Sequence, residues 1–509
     1  MKRLHLTLLP LLVAGLVWGA EAPAPLPLTH RQALLLGASN LLQARIAREI
    51  REQIRQFPEA ERGAFDWQLS ASASNGKLAF GEVNPRFSGL ANLYLTALNT
   101  TEETRTASLG ISKLDAIGGT INLNLNTGYN SFYNQVNSQT LPFGPMAALA
   151  FGTTNPYSGN LSLTYTQPLL RGFGREVTEA RLQAAIEQAK GADESFRGRM
   201  MELLTLVDHL YWNQVYARQN LANKTIALEL AKKHLQEDRD RIEAGMLAPI
   251  ELPQVQAAVA EWEKEVLAAE AMLMNAQAAL LQNLFPDEGD RPPALNPVDP
   301  PEAGPMPVPL AEAKALAFSH RPELAQAKYS LSANRTIEKA ASNATLPQLD
   351  TQVAVIRDTS TYADVNGIWN DWSQARYPGY YVGLTFSYPI GNRARLARLA
   401  QAKAATRSSE YVMKDTKTTV GLDVEQAYTD LTTARKQVDA ADAALAFRQE
   451  SLDAEMEKLA NGLSTSFFVL QRQSELDQAR TSDLEARITA EKARTNLERA
   501  MGTLIDAVN

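Results

Sequence analysis

Two proline-free stretches of about 70 residues dominate what this chain can fold into. Residues 176–245 and 393–462 carry apolar side chains at spacings of three and four, and each stretch ends at a glycine, Gly245 or Gly462. This periodicity predicts α-helix, and at ~1.5 Å per residue each helix would be roughly 100 Å long. Helices in globular proteins average about a dozen residues. The pattern therefore favours coiled-coil packing over a compact globule.

The two long stretches belong to an internal duplication. The segment LSLTYTQPLLRGFGREVTEARLQAA, around Pro168, and the segment VGLTFSYPIGNRARLARLAQAKAA, around Pro389, both run from strand through proline and glycine into helix. Gly245 and Gly462 occupy matching places about 40 residues before the end of each repeat. Equal spacing of matching segments is typical of duplicated structural units. Proline cannot donate to a sheet ladder, so we expect Pro168 and Pro389 to end their strands as hinges into the helices.

The duplication predicts the organisation of the chain. Repeat 1 covers 21–285, with strands and an insertion within 66–167 and long helices over 176–285. Repeat 2 covers 310–509, with a helix over 310–346, strands over 349–388 and long helices over 393–505. Nine prolines in the intervening 286–309 exclude helix and sheet ladder alike, which predicts an extended linker.

The first 20 residues have the order of a secretory signal: Lys2 and Arg3, an apolar run over 6–17, then Gly19 and Ala20. The chain has no cysteine, so an exported form would fold without disulfides. Beyond the signal we find no apolar run of the ~18–20 residues that a membrane helix needs. If the chain spans a membrane, it must do so with strands.

Several short segments alternate between apolar and small polar residues. TINLNLNTGY, NLSLTYT and YVGLTFSY place leucine, isoleucine, valine and aromatic side chains on one face and asparagine, serine, threonine and glycine on the other. This alternation is typical of a transmembrane barrel, although a soluble sheet with one wet face has it too. We expect four strands per chain, and six if 104–128 forms a further hairpin. Either number is below the ~8 that close a barrel, so several chains would pool their strands.

Catalysis and nucleic-acid binding have little support. The five histidines do not pair at metal-ligand spacing, no nucleophile or phosphate-loop motif stands out, and a net charge of −7 comes without a basic stripe. We therefore expect no enzyme activity, no metal, no cofactor and no nucleic-acid partner.

The ordered set of segments resembles the TolC-like outer-membrane efflux protein family over essentially the whole mature chain. It comprises TQPLLRGFGREVTEARLQAA, SYPIGNRARLARLAQAKAA, AFSHRPELAQAKYSLSANRTIEKAASNATLPQLDTQV and the paired glycine segments. The resemblance implies an α+β membrane protein of a Gram-negative bacterium, a homotrimer with one shared barrel of 12 strands in outer-membrane lipid. Its long helices would form a periplasmic coiled-coil barrel whose tip meets a periplasmic adaptor and an inner-membrane pump.

The resemblance also implies pore residues at the helix tip. Glu251 matches an acidic position of the family in repeat 1, whereas Phe468 and Gln471 stand in repeat 2 where the family often has aspartates, and Ser464 replaces a basic residue that can latch the tip. Phe467 and Phe468 would instead form an apolar constriction, which can gate a pore by excluding water. Two plainer interpretations stay open. Glu251 suits the first turn of any helix, and the phenylalanines suit a packed core.

The resulting hypothesis is a passive exit duct for substrates driven by an inner-membrane pump, in a tripartite efflux or type I secretion system. A stand-alone outer-membrane porin and a periplasmic coiled-coil adaptor are the alternatives. The porin would need more strands in one chain, and the adaptor an additional soluble β domain and an inner-membrane anchor. Whether a trimer has 12 or 18 barrel strands stays open, and so does the cargo.

Overall fold

The computed structural model describes residues 26–80, 97–136, 151–152, 156–245, 249–287, 295–302, 304, 306, 308–359, 362–374, 376 and 378–505. The predicted signal over 1–20 lies outside these residues. In chain order the helices are α1 (His30–Asn40), α2 (Leu42–Arg55), α3 (Phe57–Arg62), α4 (Arg175–Thr178), α5 (Ala180–Glu243), α6 (Leu252–Leu284), α7 (Leu310–His320), α8 (Pro322–Asn343), α9 (Val365–Ser373), α10 (Arg393–Ala460) and α11 (Ser466–Met501). The strands are β1 (Leu26–Leu28), β2 (Gln68–Phe80), β3 (Ala97–Leu114), β4 (Thr120–Val136), β5 (Phe151–Gly152), β6 (Tyr157–Pro168), β7 (Leu295–Pro297), β8 (Gln348–Asp358) and β9 (Pro378–Ser387).

The two long helices are the longest elements of the chain. Helix α5 has 64 residues and α10 has 68, each without a break, so each extends for about 100 Å at ~1.5 Å per residue. The contacts divide the chain into two compact units, one of residues 1–50, 194–324 and 415–509, the other of residues 51–193 and 325–414. We call the first the helical unit and the second the sheet unit, and α5 and α10 contribute residues to both.

The helical unit is held together by apolar seams between helices. One buried cluster joins α7, α10 and α11, and its α10 members follow the alternating spacing of four and three that places every side chain on one seam: Val420, Val424, Ala427, Leu431, Ala434 and Val438. This is the coiled-coil spacing, in which each side chain enters a gap on the facing helix. A larger cluster joins α1, α5, α6 and α11 around the fully buried Tyr211.

The sheet unit contains an antiparallel sheet in the order β2-β3-β4-β6-β8-β9, with the short β5 beside β4. Of the two expected strand numbers, the described sheet has the six-strand alternative, because the segment between β2 and β6, which we expected to hold an extracellular insertion, contributes β3 and β4. We expected this hairpin at 104–128, and it extends further at both ends. In the described residues β2 and β9 each pair on one side only, so the sheet has two open edges.

Two further expectations need correction. The predicted helix over 310–346 is two helices, α7 and α8. Arg321 between them is extended, because Pro322 disfavours helical geometry in the residue before it and itself starts α8. The proline-rich linker does form a ladder, since the three-residue β7 pairs in parallel with β1, Leu26 facing Leu295. Leu295 and Asn296 lie between prolines but are not prolines themselves, so their amide hydrogens remain available for the ladder. The number of prolines in the segment therefore does not exclude a short strand.

Candidate functional site

The sheet carries an exposed apolar face that runs across all six long strands. One line of paired residues crosses the sheet from edge to edge and is apolar in every strand: Leu69, Ile111, Leu123, Leu163, Val355 and Tyr380. Leu69 is 71% exposed, Leu163 48% and Tyr380 87%. A soluble protein rarely leaves so extended an apolar surface uncovered, and such a surface indicates contact with another apolar medium or partner.

The opposite face of the same strands consists mostly of polar or small residues. Ser72 Oγ lies 2.6 Å from Ser108 Oγ, and Ser74 Oγ lies 2.7 Å from Thr106 Oγ1. In the line next to the apolar one, the residues are Ser70, Gly110, Asn124, Ser162, Ile356 and Gly379. Alternation of an apolar outer face with a polar inner face is the signature of a membrane barrel strand. The six strands have 10 to 18 residues, and a membrane strand needs ~9–11.

Both strand-to-helix turns combine a proline with left-handed backbone. Pro168 is the last residue of β6, and Gly172 and Gly174 follow with φ of +82° and +97°. Asn343, at the end of α8, binds this turn through two hydrogen bonds: its Oδ1 accepts from Gly172 N at 2.7 Å, and its Nδ2 donates to Leu170 O. A side chain at either glycine would force an L residue into a backbone region that it rarely adopts.

The turn of the second repeat is built in the same way. Pro389 follows β9, and Gly391 and Asn392 have φ of +88° and +41°. Asn392 Nδ2 donates to Thr345 O at 2.9 Å, so an asparagine again ties the turn to the end of α8. Pro168 and Pro389 thus lie where β6 and β9 end, ahead of the helices that follow them in the chain.

The two predicted helix breaks have matching backbone geometry. Gly245 and Gly462 both have φ of +73°. Gly462 N donates to Leu459 O, and Leu463 N donates to Lys458 O at 2.8 Å, which closes the last turn of α10. After Gly245, residues 246–248 lie outside the described residues, and a short 3₁₀ turn over Pro249–Glu251 leads into α6. The side chain of Glu251 also lies outside the described part of the chain.

At the start of α11, a pair of aromatic rings points away from the core. Phe467 and Phe468 are 50% and 47% exposed and stack edge to face at 5.5 Å, whereas the next two residues, Val469 and Leu470, are buried. In the isolated chain the phenylalanines are therefore not core residues. Gln471 Nε2 makes a long 3.4 Å contact with Glu475 on its own helix.

Two hydrogen bonds secure this helix end. Ser466 Oγ donates to Asp238 Oδ1 at 2.7 Å, and both residues are buried, so the start of α11 is fastened to α5. Ser464 donates to Glu455, near the end of α10, at 2.5 Å, and this hydrogen bond lowers the pKa of that carboxyl. Within one chain Ser464 thus ties the connection between α10 and α11 to the last turns of α10.

A buried ion pair between α5 and α11 was not expected from the sequence. Lys224 Nζ lies 2.5 Å from Asp477 Oδ2, and their side chains are 12% and 5% exposed. Trp262 lies beside Lys224, with its ring centre 5.5 Å from Nζ. A cleft of about 340 Å³ opens here between α5, α6 and α11. The sequence contains one sign of this pair, because Asp477 directly follows Leu476, a buried apolar residue of α11. Apolar periodicity alone would assign Asp477 to the solvent-exposed side of the helix.

A second missed cluster surrounds the fully buried Asp208. Its Oδ1 accepts from Thr495 Oγ1 at 3.0 Å and Trp212 Nε1 at 3.2 Å, and lies 2.6 Å from His30 Nε2. Burial raises the pKa of nearby Glu491 to about 7, with a further contribution from Asp208. The contacts of Asp208 connect α1, α5 and α11, so the cluster is explained by its role in holding these helices together.

Among the described residues, no helix combines the length and hydropathy needed to cross a bilayer. The same residues contain no group of three acidic, histidine or cysteine side chains arranged for a metal ion.

The chain matches the family model described as outer membrane efflux protein over residues 120–284 and 315–503. No curated protein matches it by sequence. Its fold is similar to that of solved structures at low identity. One is a crystal structure of CusC, described in connection with the conformational changes that accompany folding and transmembrane channel formation. It has 15% identity and a TM-score of 0.65, and the match covers 93% of this chain and 92% of that one. The open-state MtrE outer membrane channel of Neisseria gonorrhoeae has 15% identity and a TM-score of 0.63, covering 93% and 89%. The CmeC outer membrane channel of Campylobacter jejuni has 13% identity and a TM-score of 0.62, covering 96% and 91%.

Proposed function

Because the chain belongs to the outer membrane efflux protein family, and is thus an outer-membrane efflux channel protein, we propose that it is one subunit of the exit duct of a tripartite efflux or type I secretion system. In this role it is a passive conduit, and an inner-membrane pump supplies the energy. The single observation that carries the proposal is the apolar line across six strands, backed by a polar face, in a chain whose two longest helices extend for about 100 Å.

The open sheet edges support an oligomer. Within the described part of the chain, the edge strands β2 and β9 present unpaired backbone groups. Such edges are not tolerated in lipid because no water is present to bond them. Six strands are also fewer than the ~8 of the smallest membrane barrels. Copies of the chain therefore join edge to edge, and we infer three from the family's homotrimeric architecture.

The helical unit serves as the periplasmic part of the duct. Helices of this length exceed the ~30 Å hydrocarbon core of a bilayer about threefold, and their mixed surface charges suit an aqueous compartment. A periplasmic adaptor and an inner-membrane pump would meet the helix ends near Gly245 and Gly462. The adaptor alternative is disfavoured by the extended apolar sheet, and the porin alternative by the long coiled-coil helices.

The exposed phenylalanine pair is our candidate for the closed constriction. In a trimer, Phe467 and Phe468 of three chains would line a narrow apolar ring, which excludes water and ions. Glu251 and Gln471 lie near the same helix breaks in sequence, and Glu251 would supply negative charge at the entrance while Gln471 would add a neutral amide. Opening would be a movement of the helix ends about the left-handed glycines.

Planar-bilayer conductance of the purified protein tests the duct. The wild-type trimer is expected to conduct little, and the Phe467→Ser, Phe468→Ser double variant to conduct severalfold more. The matched control replaces Phe447 of α10, which is 70% exposed and distant in sequence from the breaks, by serine. Equal conductance of all three proteins would contradict the gate, and the absence of any channel from the outer membrane fraction would contradict the duct.

A further inference from the structure

We propose that the hairpin β3–β4 is part of the membrane wall, so that three copies of the chain close an 18-stranded barrel. This inference rests on the proposed function, and adds that each subunit contributes six strands to the barrel. The alternative is a wall of four strands per chain, β2, β6, β8 and β9, with the hairpin outside the bilayer as an extracellular excursion.

The first argument is the pairing itself. β4 pairs with β6 over ten consecutive residues, from Thr120 facing Thr166 to Tyr129 facing Tyr157. β3 pairs with β2 over all 13 residues of β2. In the described residues β2 and β6 therefore have the hairpin between them along their full paired lengths. To form a four-stranded wall, the chain would have to break both ladders.

The second argument is the position of the hairpin turn. Asp115 closes the turn by accepting from Gly119 N at 2.6 Å, and Tyr165 Oη near the helix end of β6 donates to the same carboxylate at 2.8 Å. Gly174 N, at the start of the descending helix, donates to Ile117 O at 3.0 Å. The turn 115–119 is thus fastened to the strand-to-helix turn of β6. An extracellular excursion would place its turn at the other end of the strands.

The tight fit of this turn makes the contact specific. Gly118 has a φ of +93°, and a Cβ there would lie 2.2 Å from the carbonyl oxygen of Gly172. Only glycine allows such an approach of two backbones. The hairpin turn and the strand-to-helix turn therefore pack against each other through a position shaped for that contact.

The third argument is the chemistry of the two faces. Ile111 and Leu123 continue the apolar line of Leu163, and Asn124 continues the polar line of Ser162. A hairpin standing in water on both sides has no reason to keep an apolar face in register with a membrane face. The apolar-face residues of the hairpin are Leu109, Ile111, Ile121, Leu123 and Leu125.

The fourth argument is the slant of the apolar band across the sheet. The centre of the band in each edge strand can be followed through the paired residues to β4. In β2 the band centres near Ser70, which corresponds to Asn124 of β4. In β9 it centres near Gly383, which corresponds to Thr120 of β4. The band therefore shifts by four residues, or ~14 Å, over five strand spacings of ~4.8 Å each, which corresponds to a tilt of ~30°. Strands of membrane barrels tilt by about 35–45°. The hairpin strands lie on this slant rather than outside it.

The occupant of the open edges is a second copy of this chain. β2 and β9 have 13 and 10 residues, comparable lengths for a shared ladder, and their apolar faces lie on the same side of the sheet. With ~4.8 Å between strands and a tilt of ~40°, 18 strands enclose a backbone diameter of about 36 Å, against about 24 Å for 12. Barrels of 16–18 strands leave an aqueous lumen, so the outer exit of this duct is wide.

Site-directed spin labelling tests the proposal, because the chain has no cysteine of its own. Single cysteines at Leu123 and Asn124 in the hairpin are labelled with a nitroxide, with Leu163 and Thr164 in β6 as matched controls. The protein is placed in liposomes, and accessibility to oxygen, which partitions into lipid, is compared with accessibility to a water-soluble nickel chelate. If a label at position 123 prevents assembly, the label is placed instead at position 111, whose residue Ile111 pairs with Leu123 on the same face.

We expect the oxygen-to-nickel ratio at Leu123 to match that at Leu163 within about twofold, and Asn124 to behave like Thr164. High nickel accessibility at both Leu123 and Asn124, with Leu163 still in lipid, would overturn the six-stranded wall and leave the duct intact. Nickel accessibility at Leu163 as well would overturn the duct and this inference together.

Discussion

An arginine on the apolar face of β6 should prevent assembly, whereas an arginine one residue later should be tolerated. Leu163 lies in the middle of β6, facing Leu123 on one side and Val355 on the other, and is 48% exposed. Thr164 faces Asn122 and Ala354 on the opposite side of the sheet. The pair Leu163→Arg and Thr164→Arg therefore introduces the same charge at the same depth on opposite faces.

The magnitude follows from the position of each side chain. Arginine on the lipid face near the midplane costs about 2–4 kcal/mol. The loss of the half-exposed leucine from lipid contact adds ~1 kcal/mol, about half of what full burial of a leucine contributes. Leu163→Arg should therefore cost about 3–5 kcal/mol per subunit and about 9–15 kcal/mol in a trimer, where three copies add. Thr164→Arg should cost less than ~1 kcal/mol, because its side chain reaches water in the lumen.

The assay is the fraction of protein that inserts into liposomes and runs as an oligomer in unheated gels, followed by urea unfolding of the variants that insert. The wild type and Thr164→Arg should insert to similar extents, and Leu163→Arg should largely fail. Equal behaviour of the two variants, or a larger defect for Thr164→Arg, would refute the assignment of the apolar face to lipid.

Three further predictions concern the helical unit. Asp208→Leu should lower the free energy of unfolding by about 3 kcal/mol, since three polar partners lose a buried acceptor; a thermal melt followed by circular dichroism measures this, and an unchanged melting temperature would contradict it. Glu491 has a folded-state pKa of about 7, above its ordinary value, so its ionisation opposes folding as the pH rises from about 4.5 to 7. Glu491→Gln should consequently stabilise the protein at pH 8 by about 1–3 kcal/mol and leave it unchanged at pH 4, and a gain that does not depend on pH would reject the cause. Gly462→Ala should cost about 1 kcal/mol because of its positive φ, with Gly421→Ala inside α10 as a control that should be neutral or stabilising.

The features that sequence periodicity predicted well are those in which one local pattern decides the structure. The long helices α5 and α10 follow from uninterrupted heptad-like spacing, and the breaks after them follow from single glycines, because only a left-handed residue ends the helix there. The alternation in TINLNLNTGY placed β4 and its two faces. The turn of the hairpin expected over 104–128 contains two adjacent glycines, Gly118 and Gly119, and Gly118 has a positive φ.

The strand count was harder, because it depends on contacts between distant segments. Residues 97–108 contain many threonines and charged side chains, so they lack the clean alternation of β4, and the pairing with β2 and β4 extends them into a strand of 18 residues. The same limit applies to Leu295–Pro297, where the neighbour β1 decides the outcome.

The buried polar groups were the least predictable part of the candidate sites. Asp208, Asp238 and Asp477 look like ordinary surface acids when the sequence is read alone. Each becomes understandable only once its partner on another helix is known: Thr495, Ser466 and Lys224. Since these partners lie more than 200 residues away, no local pattern could have identified them.

The central claim is that the six-stranded sheet is a part of a membrane wall that copies of the chain complete together. An electron cryomicroscopy map of the full chain in lipid nanodiscs tests this most directly. The account predicts three copies whose β2 and β9 edges pair in one barrel about 36 Å across, with Leu163 facing lipid. A map in which the sheet of each chain stays open and lies outside the nanodisc would contradict it.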